Sequence, residues 1–405
     1  MSALKYWLWL SARKGLKPEQ AFRLLECFGT PEGAYFADPG EYDLVPGLPR
    51  AAREALTDKN LEGTEAVLED CQRLGLRILT FGDADYPERL KNIYDPPVVL
   101  YIRGRFPAFD EEAAVAVVGS RNPSAYGRRM AGRLGLDLAR QGALVVSGIA
   151  RGIDTEVLRG ALKGGGRVVS VLGGGIDVIY PRENRALYED VAAAGALISE
   201  YPPGTENEGW HFPVRNRIIS GLSLGVAAVE CTPGSGTMIT VKQALEQDRD
   251  IFAVPGNADS PLSEGPNRLI RMGARLVMGA WDILQEYEDR FSGKLQYPRP
   301  LGREEERARL ETSKPAEESE GTEKAVDKTS RLEYIDVNGL TDDQIDLISA
   351  LEGRPLSADE LIEATQIPAK RVLSGLTLLQ VQGYASELPG RRFETLVRLK
   401  RSKNL

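Results

Sequence analysis

Five arginines, Arg121, Arg151, Arg185, Arg215 and Arg217, stand in or beside short loops rich in glycine, asparagine and proline. A guanidinium is a planar fork of donors that fits a phosphate and can lie flat on a base. A single dinucleotide needs one or two such groups. Five on separate loops suit a longer polyanion. The competing use is internal: some of these cations could pair with Asp154, Asp177 or Glu200 and fasten loops. The first loop, Gly119-Ser120-Arg121, is neither G-x-G-x-x-G nor G-x-x-x-x-G-K-[ST], so an arginine stands where dinucleotide loops carry glycine. The densest stretch is "WHFPVRNRIISGLS", Trp210–Ser223. Trp210 and Phe212 could stack on unpaired bases, worth about 1–3 kcal/mol per base, or form a buried aromatic staple. Arg215, Asn216 and Arg217 are read as opening a helix, whose free N–H groups favour an anion.

Hydrolytic chemistry has little to work with. His211 is the only histidine in the chain. Every Ser-His-Asp set, Cys-His set or histidine-containing metal site would have to use it. Beside Phe212 and Pro213 it is expected to pack in its loop. No catalytic residue, cofactor or metal is expected. "ECTPGSGTMITVKQALEQ" (Glu230–Gln247) resembles the P-G-G-x-G-T-x-x-E loop of nucleoside monophosphate phosphoribohydrolases. Here Thr240 stands where those enzymes need glutamate, so a phosphate cradle at Gly234, Ser235, Gly236 and Thr237 could outlive the chemistry. Glu230 is expected to bind backbone N–H groups. A phosphoribohydrolase-like enzyme and a nucleotide-sensing module remain the alternatives.

The elements that must position these loops are legible. Six β-branched runs each stop at a glycine-containing or proline-containing loop: "VAVVG", "ALVVSG", "RVVSVL", "ALISE", "GVAAVE" and "DIFAVP". Helical segments lie between most of them. From Tyr126 to Gln141, Met130, Leu134 and Leu138 give one apolar face. Such alternation predicts an α/β fold with a doubly wound parallel sheet. Ligands of such sheets bind outside the carboxyl ends of the strands, where all six loops would converge.

Around this unit, residues 66–292, the chain reads as three further regions. Residues 1–65 look helical, with Pro18 opening a helix and Gly29 closing it. There "LVPGLPRAAREAL" has the form of a helix-hairpin-helix, a weak sign of phosphate contact. Residues 293–336 hold a linker whose core, Gly302–Ser330, carries nine acidic and six basic residues and is expected to be disordered. Residues 337–405 hold two capping boxes, at Thr341 and Ser357, a third helix from Pro368, and a hairpin turning at Pro389-Gly390. That order predicts a winged helix, whose third helix has only Lys370 and Arg371 as cations, so a protein contact or a weak duplex contact is favoured over sequence-specific reading. The net charge of −8 argues mildly against nucleic acid, but local potential decides phosphate binding. Cys27, Cys71 and Cys231 lie far apart, which suits a reducing compartment. No apolar run is long enough to cross a membrane and no signal-peptide layout opens the chain, so a cytoplasmic protein is expected.

"VVGSR", "SGIARGID", "LGGGID", "YPRENR", "ISEYPPG", "HFPVRNRIISGLS", "GSGTMITVKQALEQ" and "VPGN" with "NRLIRMGA" follow one another over about residues 70–290. In this order and spacing they resemble the DNA-processing protein A family, also called Smf. The resemblance implies an extended Rossmann-like sheet, a helical SAM-like domain before it and a winged helix after it. It implies a recombination mediator that binds single-stranded DNA, protects incoming strands in natural transformation, helps load RecA, and forms a homodimer. Residue by residue it implies strand contacts at Gly119, Ser120 and Arg121, and at Ser147, Gly148, Arg151 and Gly152. It implies others at Asn184 and Arg185, at Phe212, Arg215, Asn216 and Arg217, and at Gly234, Ser235, Gly236 and Thr237. Arg121→Ala or Arg217→Ala would then lower the salt slope by about 0.7, one phosphate's worth.

Overall fold

The structure, a computed structural model, describes residues 3–13, 15–297, 333–335, 340–352, 354–388 and 392–399. The chain divides into two compact units, Met1–Lys314 and Pro315–Leu405.

The first unit is built on nine strands: β1 (Arg77–Thr80), β2 (Val99–Gly104), β3 (Ala114–Val118), β4 (Leu144–Ser147), β5 (Val168–Leu172), β6 (Ala196–Ser199), β7 (Gly225–Ala228), β8 (Asp250–Ala253) and β9 (Arg275–Leu276). They lie in the order β1-β2-β6-β5-β4-β3-β7-β8-β9. The six runs read from sequence are β3 to β8, all parallel to one another. The sheet exceeds the expectation at both edges. β2 pairs antiparallel with β6 and with β1, and the two-residue β9 extends the other side.

Every residue of β3, β4 and β5 is buried, as a sheet covered on both faces requires. The two-residue period divides β3 cleanly. Val115 and Val117 face one core with Leu134 and Leu138 of α7 (Ala125–Arg140), Val157 and Leu158 of α8 (Ile153–Lys163) and Leu187 of α9 (Arg185–Ala194). Ala114, Ala116 and Val118 face the other, with Ile218 and Ile219 of α10 (His211–Gly221) and Ala244 of α11 (Gly236–Glu246). Each buried aliphatic contributes about 1.5–3 kcal/mol.

The helical N-terminal region shares the first core. Trp9 and Leu10 from Leu4–Ser11, Leu24 from Pro18–Phe28 and Leu56 from Arg50–Leu56 are fully buried in it. Gly29 caps its helix at φ 75°, as its position in the sequence suggests. The Pro46-Gly47 turn is not open to a phosphate. The Arg23 guanidinium donates to the Pro46 carbonyl at 3.1 Å and fills the space a side chain at Gly47 would take. Residues 294–296 belong to this unit as well, since Gln296 N–H donates to the Gln141 carbonyl at 3.0 Å. The core of the acidic linker lies outside the described residues.

The second unit has helices Asp342–Leu351, Ala358–Thr365 and Ala369–Val381, followed by a hairpin of Ala385–Leu388 with Arg392–Thr395. This is a winged helix. Both capping boxes form: Thr341 N–H donates to Gln344 Oε1 at 2.9 Å, and Ser357 N–H to Glu360 Oε2 at 2.8 Å. Leu347, Leu361, Val372 and Leu376 make the core. The Pro389-Gly390 turn lies outside the described residues.

Candidate functional site

β3 is the first parallel strand. From it the chain steps through β4, β5 and β6 to one side, then returns to lay β7 and β8 on the other. The loops after β3 and β7 therefore part, and a crevice opens at the carboxyl ends of the strands. A cleft of about 680 Å³ occupies this place. Gly119, Ser120 and Arg121 line it from the β3 loop, Phe212, Arg215 and Asn216 from α10, and Ser235, Gly236 and Thr237 from the start of α11. Asp154, Tyr180, Asn207 and Thr240 complete much of the wall.

Arg121 is exposed and is paired with no carboxylate among the described residues. Its guanidinium carbon lies 4.9 Å from the centroid of the Phe212 ring, a cation–π contact that leaves its donors open. Phe212 is held from behind by Gly173, where a Cβ would come within 3.0 Å of the ring. Tyr180 stands 5.8 Å from Phe212, centroid to centroid. Trp210 is 60% exposed, not a buried staple.

Arg215 is 4% exposed. Its Nη1 donates to the Gly148 carbonyl at 3.0 Å and to the Val171 carbonyl. Its Nε has no protein partner. Burial lowers its pKa, while the carboxylate of Asp154 opposes that. Asp154, also buried, accepts from the Ala150 N–H at 3.3 Å. Burial raises its pKa, against the pull of the Arg215 charge.

The remaining residues expected to touch a strand lie elsewhere. Arg217 is 3% exposed and donates to Asp95 Oδ2 at 2.9 Å and Glu200 Oε1 at 2.7 Å. Burial works against its charge, but the two carboxylates outweigh it and raise its pKa. The local reason is a register difference. α10 begins at His211, so Arg215 and Arg217 sit in its second turn instead of opening it, two residues apart and on different sides. Arg151 is exposed but paired with Glu183. Arg185 is exposed at the first position of α9. Asn184 is buried, and its Nδ2 donates to the Ile149 carbonyl at 2.9 Å and Thr155 Oγ1 at 2.8 Å. Ser147 is buried and donates to the Val117 carbonyl at 2.8 Å, joining β4 to β3.

The glycines divide in the same way. At Gly152, φ is +78° and a Cβ would lie 2.3 Å from the Ser120 carbonyl oxygen; at Gly148 it would lie 2.4 Å from Arg215. A Cβ at Gly119 would meet Ile153. These three let protein pack on protein. Gly234 and Gly236 have nothing within 4 Å, so their surroundings are open to a ligand.

His211 packs as expected. It is buried, with Nδ1 2.9 Å from the Gly173 carbonyl oxygen and its ring stacked on Tyr201. Glu230 binds the next loop: Ser124 donates its N–H to Oε2 at 2.8 Å and its hydroxyl to Oε1 at 2.6 Å. Thr240 lines the cleft where the hydrolase loop has glutamate, and Asp154 is the one carboxylate in the lining. Among the described residues no three His, Cys, Asp or Glu side chains gather as metal ligands. Asn207 in the wall and Asp95 beside Arg217 were not singled out from sequence. No local motif marks them, since each reaches its place through the fold.

A family profile described as DNA recombination-mediator protein A matches residues 77–288, and one described as DprA winged helix domain matches 336–391. The chain is 42% identical to DNA processing protein DprA of Bacillus subtilis, over 58% of this chain and 78% of that one. It is 32% identical to Protein Smf of Synechocystis, over 96% of this chain and 98% of that one. The X-ray structure of DNA processing protein A from Streptococcus pneumoniae superposes with a TM-score of 0.62 at 32% identity, over 73% of this chain and 99% of that one. These matches and the switch-point cleft agree with the motif order, and the chain belongs to the DNA recombination-mediator protein A family.

Proposed function

We propose that this recombination mediator binds single-stranded DNA in the switch-point cleft, without catalysing a reaction on it. One observation carries the reading: Arg121, paired with no carboxylate among the described residues, lies over Phe212 in a cleft that Arg215 also lines, its Nε without a protein partner. A phosphate can take the edge of the fork while an unstacked base lies on the plane of the guanidinium. In a duplex the bases are already stacked, so it should compete poorly. Gly119, Ser120, Asn216, Ser235, Gly236 and Thr237 supply the walls. Arg151, Arg185 and Gly234 border the path beyond it, and Arg151 must exchange Glu183 for a phosphate. Ser147, Gly148, Gly152, Asn184 and Arg217 support the site from below.

A homodimer suits the far edge of the sheet. There Met272, Leu276 and Met278 are exposed around β9, whose outer edge pairs with no strand among the described residues. Transfer of the bound strand to RecA, in the cytoplasm and during natural transformation, is the step the family resemblance implies. Among the described residues no helix is long and apolar enough to cross a membrane.

The test is fluorescence anisotropy of labelled oligo-dT across a salt series, with matched duplex as competitor. Binding that weakens with salt and resists duplex is expected. The absence of binding at low salt would end the reading. A nucleotide sensor is the second reading, favoured by the single-ligand size of the cleft. It requires saturation by a mononucleotide with no affinity for the oligomer.

A further inference from the structure

The floor of the cleft is better suited to one phosphate than to a passing strand. α11 is an eleven-residue helix whose first residues, Gly236 and Thr237, line the cleft. Met238 N–H donates to the Ser235 carbonyl at 3.0 Å, and the N–H groups of Gly236 and Thr237 before it have no intrahelical acceptor. Gly234 and Gly236 leave the approach to them open. A second observation points to the same place. Arg215 lines the same cleft, is 4% exposed, and keeps Nε without a partner while Nη1 is spent on two carbonyls. A buried guanidinium with unused donors is costly unless something accepts from it.

The charge count narrows the ligand. Among the residues lining the cleft, Arg121 and Arg215 are the cations and Asp154 the one carboxylate. α10 and α11 both begin on the cleft, each adding about half a positive charge at its N-terminus. The sum is roughly two positive charges, which matches a phosphomonoester at about −1.5 to −2 better than a phosphodiester.

We propose that the cleft floor, formed by the start of α11 and Arg215, is a subsite for a terminal nucleotide phosphomonoester. Resting on the single-strand reading, this assigns the cleft to a 5′-phosphorylated strand end, with Phe212 and Arg121 receiving the first base. A free nucleoside monophosphate presents the same chemistry.

The experiment compares oligo-dT bearing a 5′-phosphate with the same oligomer bearing a 5′-hydroxyl, and dTMP with thymidine, by anisotropy and calorimetry. A 5′-phosphate should tighten binding roughly tenfold, and dTMP should bind where thymidine does not. Gly236→Ala places a methyl in open space, so the fold should hold and the phosphate preference should vanish. If dTMP binds but the 5′-phosphate adds nothing to the oligomer, the subsite stands and its occupant is the free nucleotide. If dTMP binds and no oligomer does, the subsite stands and the single-strand reading fails. If both oligomers bind equally and dTMP does not bind, the subsite is refuted and the single-strand reading survives.

Discussion

Arg121 and Arg371 each stand near the start of a structure suited to nucleic acid, one at the mouth of the switch-point cleft and one on the third helix of the winged helix. Their guanidiniums are used differently. Arg121 lies on a ring face and is paired with no carboxylate among the described residues. Arg371 gives Nε and Nη2 to the two oxygens of Asp343, at 2.7 and 2.6 Å. Nearby, Arg392 is paired with Glu360. The exposed face of the third helix shows Leu373 and Leu378, 55% and 52% exposed, with Lys370 as its other cation. A winged helix is thus no more a duplex reader than its unspent donors allow. The free donors, not the fold, mark where a polyanion can bind.

The same contrast operates inside α10, and there the largest effect is expected. Arg215 keeps its Nε without a protein partner, whereas Arg217 spends its fork on Asp95 and Glu200. Arg217→Ala should leave two carboxylates beside a buried gap and cost about 3–5 kcal/mol of stability. Strand affinity should fall with it, because α10 carries Phe212 and Arg215, but the salt slope should not change. A normal melting temperature with a slope reduced by about 0.7 would show instead that Arg217 contacts phosphate. Arg217→Lys should recover part of the melting temperature, since it restores the charge without the fork.

Arg121→Ala is the converse. Losing one charge-assisted contact costs about 1.5–3 kcal/mol, or roughly ten- to hundredfold in affinity. The salt slope should fall by about 0.7 and the melting temperature should hold. An unchanged affinity would place the strand elsewhere. Arg371→Ala should leave oligo-dT affinity within about twofold, because the lost partner of Asp343 is an exposed ion pair worth about 0–1 kcal/mol. A large loss would make the winged helix part of the strand path and erase the contrast.

Much of this was legible in the sequence. The strands β3 to β8 announce themselves because a parallel sheet buries both faces, which demands unbroken β-branched runs. β9 has two residues, both exposed, so no period exists to read. β1 and β2 pair antiparallel with only the four-residue helix Glu88–Lys91 between them, so they lack the strand–helix alternation of the others. The convergence of Gly119, Arg121, Phe212 and Ser235 was legible because the carboxyl-edge rule needs only strand direction. The use of each arginine was not. Asp95 lies 122 residues before Arg217, and only folding brings them together. The roles of Gly148 and Gly152 were hidden likewise: both make room for protein atoms, and sequence cannot distinguish that from room for a ligand.

The winged helix offers the smallest and most local test of how spent charge behaves. Ser357 caps the helix Ala358–Thr365, and Glu360 returns a carboxylate to the Ser357 N–H. Ser357→Ala should cost this unit about 1 kcal/mol, seen as an earlier melting transition. That backbone hydrogen bond also holds the Glu360 carboxyl below its ordinary pKa. The sign follows from the depressed value. The stabilisation is fully present above the ordinary glutamate pKa and is lost as pH falls through the lower, folded one. Glu360→Gln keeps an acceptor for the Ser357 N–H and removes the titration. It should flatten the acid limb of the second unit's melting curve while leaving oligo-dT binding at neutral pH unchanged. If the acid limb keeps its slope, Glu360 does not control it.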